Sequence, residues 1–262
     1  MADPILITGG SSGIGAATAR LAAQRGIPVA ITYRTGQAGA EALVADIRAK
    51  GGEAHAFQAD VSREEDIVHL FAQVDDAFGE RPLAGLVNSA GVGGPHGRVE
   101  AFDGENLARL WAINVTATIL ASREALQRFR KRGGGAIVNL SSMAATIGGR
   151  SGASVYAASK AAVDAFTRGL AKEVAAEGIR VNAVRPGYTL TPMTQAPSVV
   201  FSMVAATLPI QRAAHPDEIA LPILWLLSDE ASFVTGARLD VSGGGFLIKG
   251  AAELTVEEEA LA

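Results

Sequence analysis

Cysteine is absent from all 262 residues. Without a thiol the chain forms no disulfide, holds no iron-sulfur cluster or cysteine-ligated zinc, and uses no thiolate nucleophile. Nothing points to an oxidising compartment, so a cytoplasmic location is expected. Histidine is scarce too: His55, His69, His96 and His215 are scattered without ligand spacing, and no catalytic metal is expected. No uninterrupted apolar run approaches the length of a membrane span, and the opening MADPILITGG has no basic stretch ahead of its apolar residues, so neither export nor a membrane anchor is expected. An excess of positive charge is also missing. The net charge is −4 with both signs interspersed, which offers no basic stripe for nucleic acid. What is present is a chain 48% hydrophobic and 19% charged, enough for a sizeable core. One domain over residues 1–250 is expected, followed by an acidic tail over 251–262.

Short runs rich in Ile and Val alternate with longer stretches of helical spacing, the pattern of repeated βαβ units. Strands are expected at Ile5 to Thr8, Pro28 to Tyr33, Glu53 to Gln58, Leu83 to Asn88, Ala136 to Ser141, Arg180 to Arg185 and Arg238 to Val241. Between them run amphipathic helices, such as Ser62 to Phe78 with Ile67, Leu70, Phe71 and Val74 on one face. Right-handed crossovers then require a doubly wound α/β fold, a Rossmann-type seven-stranded parallel sheet with helices on both faces. Irregular stretches near Gly91 and after Pro186 are candidate pocket walls, because ligands bind beyond the carboxyl ends of such strands.

The first strand runs into ILITGGSSGIG, with Gly9, Gly13 and Gly15 opening a helix. Glycines there permit a tight turn and let a pyrophosphate approach the amides of a helix N-terminus. The spacing G-x-x-x-G-x-G differs from the commoner dinucleotide fingerprint G-x-G-x-x-G. Gly9 to Gly13 also satisfies G-x-S-x-G, the nucleophile elbow of serine hydrolases, with Ser11 as nucleophile. That alternative requires a preceding strand and a downstream acid and histidine, and no strand precedes this turn; His215 reads as a helix start.

A helix over Ser154 to Ala176 carries Tyr156 and Lys160 four residues apart, hence on one face. A phenol is a poor base near neutrality, but a neighbouring ammonium favours its phenolate, and such a pair can exchange a proton with an alcohol or carbonyl oxygen.

The order Thr8-Gly9-x-x-x-Gly13-Ile14-Gly15, then NSAG at Asn88 to Gly91, Asn114, NLSS ending at Ser142, Tyr156-x-x-x-Lys160 and Pro186-Gly187 resembles the short-chain dehydrogenase/reductase family over residues 4 to 246. Within it the chain is similar to sugar-dehydrogenase-like and 3-oxoacyl-reductase-like oxidoreductases. The resemblance implies Tyr156 as general acid/base and Lys160 as the group that lowers its pKa and holds the nicotinamide ribose. It implies Ser142 on the substrate oxygen and Asn114 positioning a water that links Lys160 to solvent. Ser141 or Ser142 faces the substrate, and Ser142 is preferred. The remaining implied cofactor contacts are Gly9, Ser11, Ser12, Gly13, Ile14, Gly15, Tyr33, Arg34, Asp60, Val61, Asn88, Ala90, Gly91, Pro186, Gly187, Thr189 and Thr191. Asp60 is assigned to the adenine, Asn88 and Gly91 to its ribose, and Thr191 to the carboxamide. Ser89 stands where the family's NNAG motif has a second Asn. A homotetramer is implied, with the Tyr-bearing helix and the last strand as contacts.

The second strand ends in Tyr33 and Arg34 rather than in the carboxylate that selects NAD, so NADP is the expected cofactor, with NAD as the alternative. Met143, Ile147, Tyr188, Met193, Phe201 and Met203 suggest an apolar pocket and an uncharged small-molecule alcohol or ketone. A 3-oxoacyl-thioester reductase and a sugar dehydrogenase are alternatives of the same family. A cofactor sensor without activity is the alternative from another class.

Overall fold

The computed structural model describes residues 3–94, 96–194 and 207–245. The acidic tail, Phe201 and Met203 lie outside them. Seven strands form one sheet: β1 (Ile5–Thr8), β2 (Val29–Tyr33), β3 (Ala54–Gln58), β4 (Gly85–Asn88), β5 (Gly135–Leu140), β6 (Ile179–Pro186) and β7 (Arg238–Val241). Every pairing is parallel, in the order β3-β2-β1-β4-β5-β6-β7. β1 and β4 are buried at every position, as strands covered on both faces must be. Strand alternation sorts the core into two layers. Leu6, Leu86, Ile137 and Val181 pack against α3 (Glu64–Phe78), α5 (Ala117–Arg132) and α7 (Ser154–Val174). Ile5, Ile7, Val29, Ile31, Val138 and Val184 pack against α1 (Gly13–Gln24), α2 (Gln37–Ala49) and α8 (Pro216–Leu227).

The expected strands occur, with ends shifted by a residue or two. Gly85 rather than Leu83 opens β4, and α7 stops at Val174, where a tighter turn over Ala175–Glu177 runs into Gly178 in the left-handed region. Short α4 (Gly104–Trp111) is continued into α5 by a π-helical turn over Ala112–Thr116, and α6 is a single turn, Ala144–Ile147. Because β1 and β4 are neighbours whose chains leave in different directions, a crevice opens beyond their carboxyl ends. Among the described residues no helix is long and apolar enough to cross a membrane, and no cluster of His, Asp and Glu could hold a metal.

Candidate active site

The turn after β1 is held open by its neighbours. Thr8 Oγ1 accepts hydrogen bonds from the amides of Ser89 and Ala90, both at 3.1 Å, while Gly9 N donates to Thr32 Oγ1 at 3.1 Å. Gly9 has φ +67°, and a Cβ there would stand 2.8 Å from Ala90 Cα; at Gly15 a Cβ would stand 2.4 Å from the Gly9 carbonyl oxygen. Only glycine fits at either position, which lets the turn fold this tightly against the loop after β4. The Ser12 side chain at the N-cap of α1 makes no capping bond, and the first turn carries no acidic residue. The helix thus presents its positive end and free amides to an anion, which fits the pyrophosphate of a dinucleotide. Ser11 Oγ lies beside Gly36. No histidine bonds to it among the described residues, so the hydrolase alternative lacks its base. Ile14 is half-buried against the core layer of β1 and β2.

Tyr33 closes β2, and exposed Arg34 follows with no bonded carboxylate among the described residues. Burial works to raise the Asp60 pKa, but hydrogen bonds from the Ser62 hydroxyl (2.7 Å) and amide (3.0 Å), with the charges of Arg34 and Arg109, carry it below the usual value. Asp60 is therefore an ionised group near Arg34. Val61 beside it is half-buried against the core.

Several of the expected cofactor contacts are also engaged within the protein itself. Asn88 is 4% exposed, and its Nδ2 donates to Asn139 Oδ1 at 2.9 Å and Ser122 Oγ at 3.3 Å, so its side chain is part of a buried network. Thr189 is 2% exposed with its hydroxyl donating to the Gly187 carbonyl, leaving only backbone for a ligand. Gly187 is required by packing, since a Cβ there would lie 2.8 Å from Ser242 Cα. Pro186 next to it ends β6. Thr191 does approach the glycine turn: a Cβ on Gly13 would lie 3.2 Å from its Cγ2. Met143, expected in the pocket wall, is 1% exposed and belongs to the core.

At the end of β5 two serines face opposite ways. Ser141 Oγ donates to the Lys160 carbonyl at 3.1 Å within the interior. Ser142 Oγ accepts the Ala144 amide at 3.1 Å and lies beside the Tyr156 phenol, close enough to act on its pKa. Of the two, Ser142 is therefore the one beside the Tyr156 phenol. Burial pushes the Tyr156 pKa up, and the neighbouring Ser142 hydroxyl opposes that rise. Lys160 Nζ sits 5.9 Å from the Tyr156 ring centroid and donates to the Leu140 carbonyl at 2.7 Å, so the direct polar partner of Tyr156 is Ser142. Burial lowers the Lys160 pKa to about 8, against the pull of Asp164 one helical turn away. Asp164 is itself clamped by Arg185, at 2.7 Å, a buried pair that helical spacing around Tyr156 did not signal.

Asn114 sits in the middle of the π-helical turn, 1% exposed. Its Oδ1 accepts Val92 N at 2.9 Å, and its Nδ2 donates to Val92 O at 3.0 Å and Ser159 Oγ at 3.0 Å. The side chain thus clamps the loop after β4 to α7. A Cβ on Gly91 would meet Asn114 Oδ1 at 3.4 Å and Lys160 Nζ at 3.5 Å, so the glycine keeps a space between these two polar groups. Ala90 precedes it, half-buried. Thr8 and Ser159 are supporting residues that no motif spacing singled out for a polar role.

Comparison with known proteins decides the lineage of this site. A family model described as enoyl-(acyl carrier protein) reductase matches residues 9–245. The chain belongs to the short-chain dehydrogenase/reductase family. It is 44% identical to the uncharacterized oxidoreductase YgfF of Escherichia coli, over 91% of this chain and 98% of that protein. It is 41% identical to cis-4-hydroxycyclohexanecarboxylate dehydrogenase of Sinomonas cyclohexanicum, over 91% and 94%. The solved structure of a short-chain dehydrogenase from Burkholderia cenocepacia in complex with NADP matches with a TM-score of 0.87 and 36% identity, over 92% of this chain and 97% of that one. In this short-chain dehydrogenase/reductase the glycine turn and the Ser142–Tyr156–Lys160 group therefore stand at the carboxyl end of one Rossmann-type sheet.

Proposed function

We infer that the protein is an NADP-preferring oxidoreductase that interconverts a secondary alcohol and its carbonyl. The observation that carries this reading is a half-buried tyrosine, Tyr156, whose phenol lies beside the Ser142 hydroxyl at the same end of the sheet as a glycine turn open to a dinucleotide. When bound, the nicotinamide accepts a hydride from the alcohol carbon or returns one to the carbonyl carbon. The chain manages everything else. In oxidation the Tyr156 phenolate takes the alcohol proton, and in reduction the phenol gives it back to the carbonyl oxygen. Ser142, its oxygen already accepting the Ala144 amide, has its hydrogen free to donate to the phenolate or the substrate oxygen. Lys160 holds the ribose hydroxyls, and the space between Asn114 and Lys160 holds a water that passes the proton outward. Gly9, Gly13, Ile14 and Gly15 line the pyrophosphate, and Arg34 meets the 2′-phosphate of NADP without a competing carboxylate bonded to it. The NADP complex of the Burkholderia relative and the secondary-alcohol substrate named for the Sinomonas relative support both parts of this reading.

A cytoplasmic homotetramer completes the proposal. β7 is an edge strand, and fully exposed Phe233 with Leu221 and Trp225 offers apolar surface beside it for a second copy, which light scattering would test. The function itself is tested by calorimetric titration of NADPH and NADH into wild type and Arg34→Ala, with turnover of secondary alcohols followed by nucleotide absorbance. Tighter NADPH binding that depends on Arg34, with turnover, is the expected result. Binding without turnover of any alcohol or ketone would favour the sensor instead.

A further inference from the structure

Three described stretches follow strands at the carboxyl end of the sheet, where Tyr156 stands: residues 89–94 and 96–100 after β4, residues 141–153 after β5, and residues 187–194 after β6. Their charge is one-sided. Residues 141–153 contain a single charged side chain, Arg150, and residues 187–194 contain none. In residues 89–100 the lone carboxylate, Glu100, is already paired with Arg98. Arg150 is exposed, and no carboxylate bonds to it among the described residues. Its guanidinium carbon lies 4.7 Å from the centroid of the Tyr188 ring. Stacking of this kind fixes the planar fork while leaving its N–H groups free for an oxyanion.

The position of the pair matters as much as its charge. Arg150 lies in the turn that starts α7, where its carbonyl accepts Ala153 N at 2.9 Å. Tyr188 stands two residues past Pro186, whose carbonyl accepts Met143 N at 3.1 Å, next to Ser142. The stacked pair therefore joins the two loops that flank Ser142 and Tyr156. We propose that Arg150, seated on Tyr188, anchors an anionic group of the substrate, so that this site takes hydroxy acids and oxo acids. A carboxylate separated from the reacting carbon by a short chain is the simplest such group. The inference rests on the alcohol–carbonyl reading above, and it departs from the uncharged substrate that the apolar residues alone suggest.

The test measures kcat/KM with NADP for secondary methyl carbinols of four, five and six carbons that end in a carboxylate. Each is paired with the alcohol in which a methyl group replaces the carboxylate. At one chain length the acid is favoured about tenfold or more, the worth of a hydrogen-bonded charge. Arg150→Gln brings that ratio close to one, and Arg150→Glu inverts it. Equal turnover of acid and neutral alcohol at every length, or a ratio that survives Arg150→Gln, overturns the proposal. If wild type oxidises no alcohol of either series, the oxidoreductase reading fails separately. Calorimetric titration of the same acids into wild type and Arg150→Gln, with NADP present, then still reads the anchor. Binding weakened by the substitution supports it, and binding that is absent or unchanged refutes it.

Discussion

An ammonium at Lys160 has lost nearly all of its water, with the residue 6% exposed. Burial carries its pKa from 10.5 to about 8, with Asp164 acting in the opposite direction. At about 1.4 kcal/mol per pKa unit, holding the charge in the folded state costs about 3 kcal/mol at neutral pH. The sign follows from proton counts. Between pH 8 and pH 10.5 the unfolded chain keeps the Lys160 proton while the folded chain releases it, so stability rises with pH across that window. Below pH 8 the penalty is felt in full. Lys160→Met has a similar length and no charge, and its cost is the lost hydrogen bond to the Leu140 carbonyl, about 1 kcal/mol.

Lys160→Met is therefore expected to be more stable than wild type by about 2 kcal/mol at pH 7, and to lose that advantage by about pH 9.5. Urea unfolding of both proteins without nucleotide, at one protein concentration, measures the difference, and groups elsewhere cancel because the two chains differ at one side chain. A difference that does not move with pH, or a variant less stable than wild type at pH 7, refutes the reasoning. The expected result makes Lys160 a residue kept at a cost to the fold, as groups held for chemistry are.

Tyr156→Phe should keep NADPH affinity while turnover falls by about a hundredfold to ten-thousandfold, the worth of a positioned acid/base; retained activity in a stopped assay would remove Tyr156 from the chemistry. Gly15→Ala places a methyl 2.4 Å from the Gly9 carbonyl, so the turn must open, with a stability loss of about 1–3 kcal/mol and weaker nucleotide binding read by thermal unfolding and calorimetry. Asn139→Leu removes one 2.9 Å bond each from the Asn88 amide, which keeps Ser122, and from the Thr167 hydroxyl, which keeps the Val163 carbonyl, and should lower stability by about 1–2 kcal/mol in urea unfolding.

How much of this was legible in the chain depends on the reach of each signal. Strand periodicity and glycine-rich punctuation are local, and they located every strand of the sheet to within a residue or two. Spacing on one helix is local as well, and it put Tyr156 and Lys160 on one face. Which atom Lys160 reaches is decided by the last carbonyl of β5, far away in sequence, so the pair was legible and its electrostatics were not. The network around Asn88 was hidden for a different reason. In a strand covered on both faces alternation no longer separates core from ligand, and the side chain turned toward Asn139 and Ser122. The π-helical turn around Asn114 breaks the very period by which helices are read, and it shows only through the hydrogen bonds that Asn114 makes to Val92. Arg150 and Tyr188 carry no mutual signal at all, because two loops meet only once β5 and β6 are paired. Chemistry written on one element can therefore be read from sequence, whereas specificity assembled between elements has to wait for the fold.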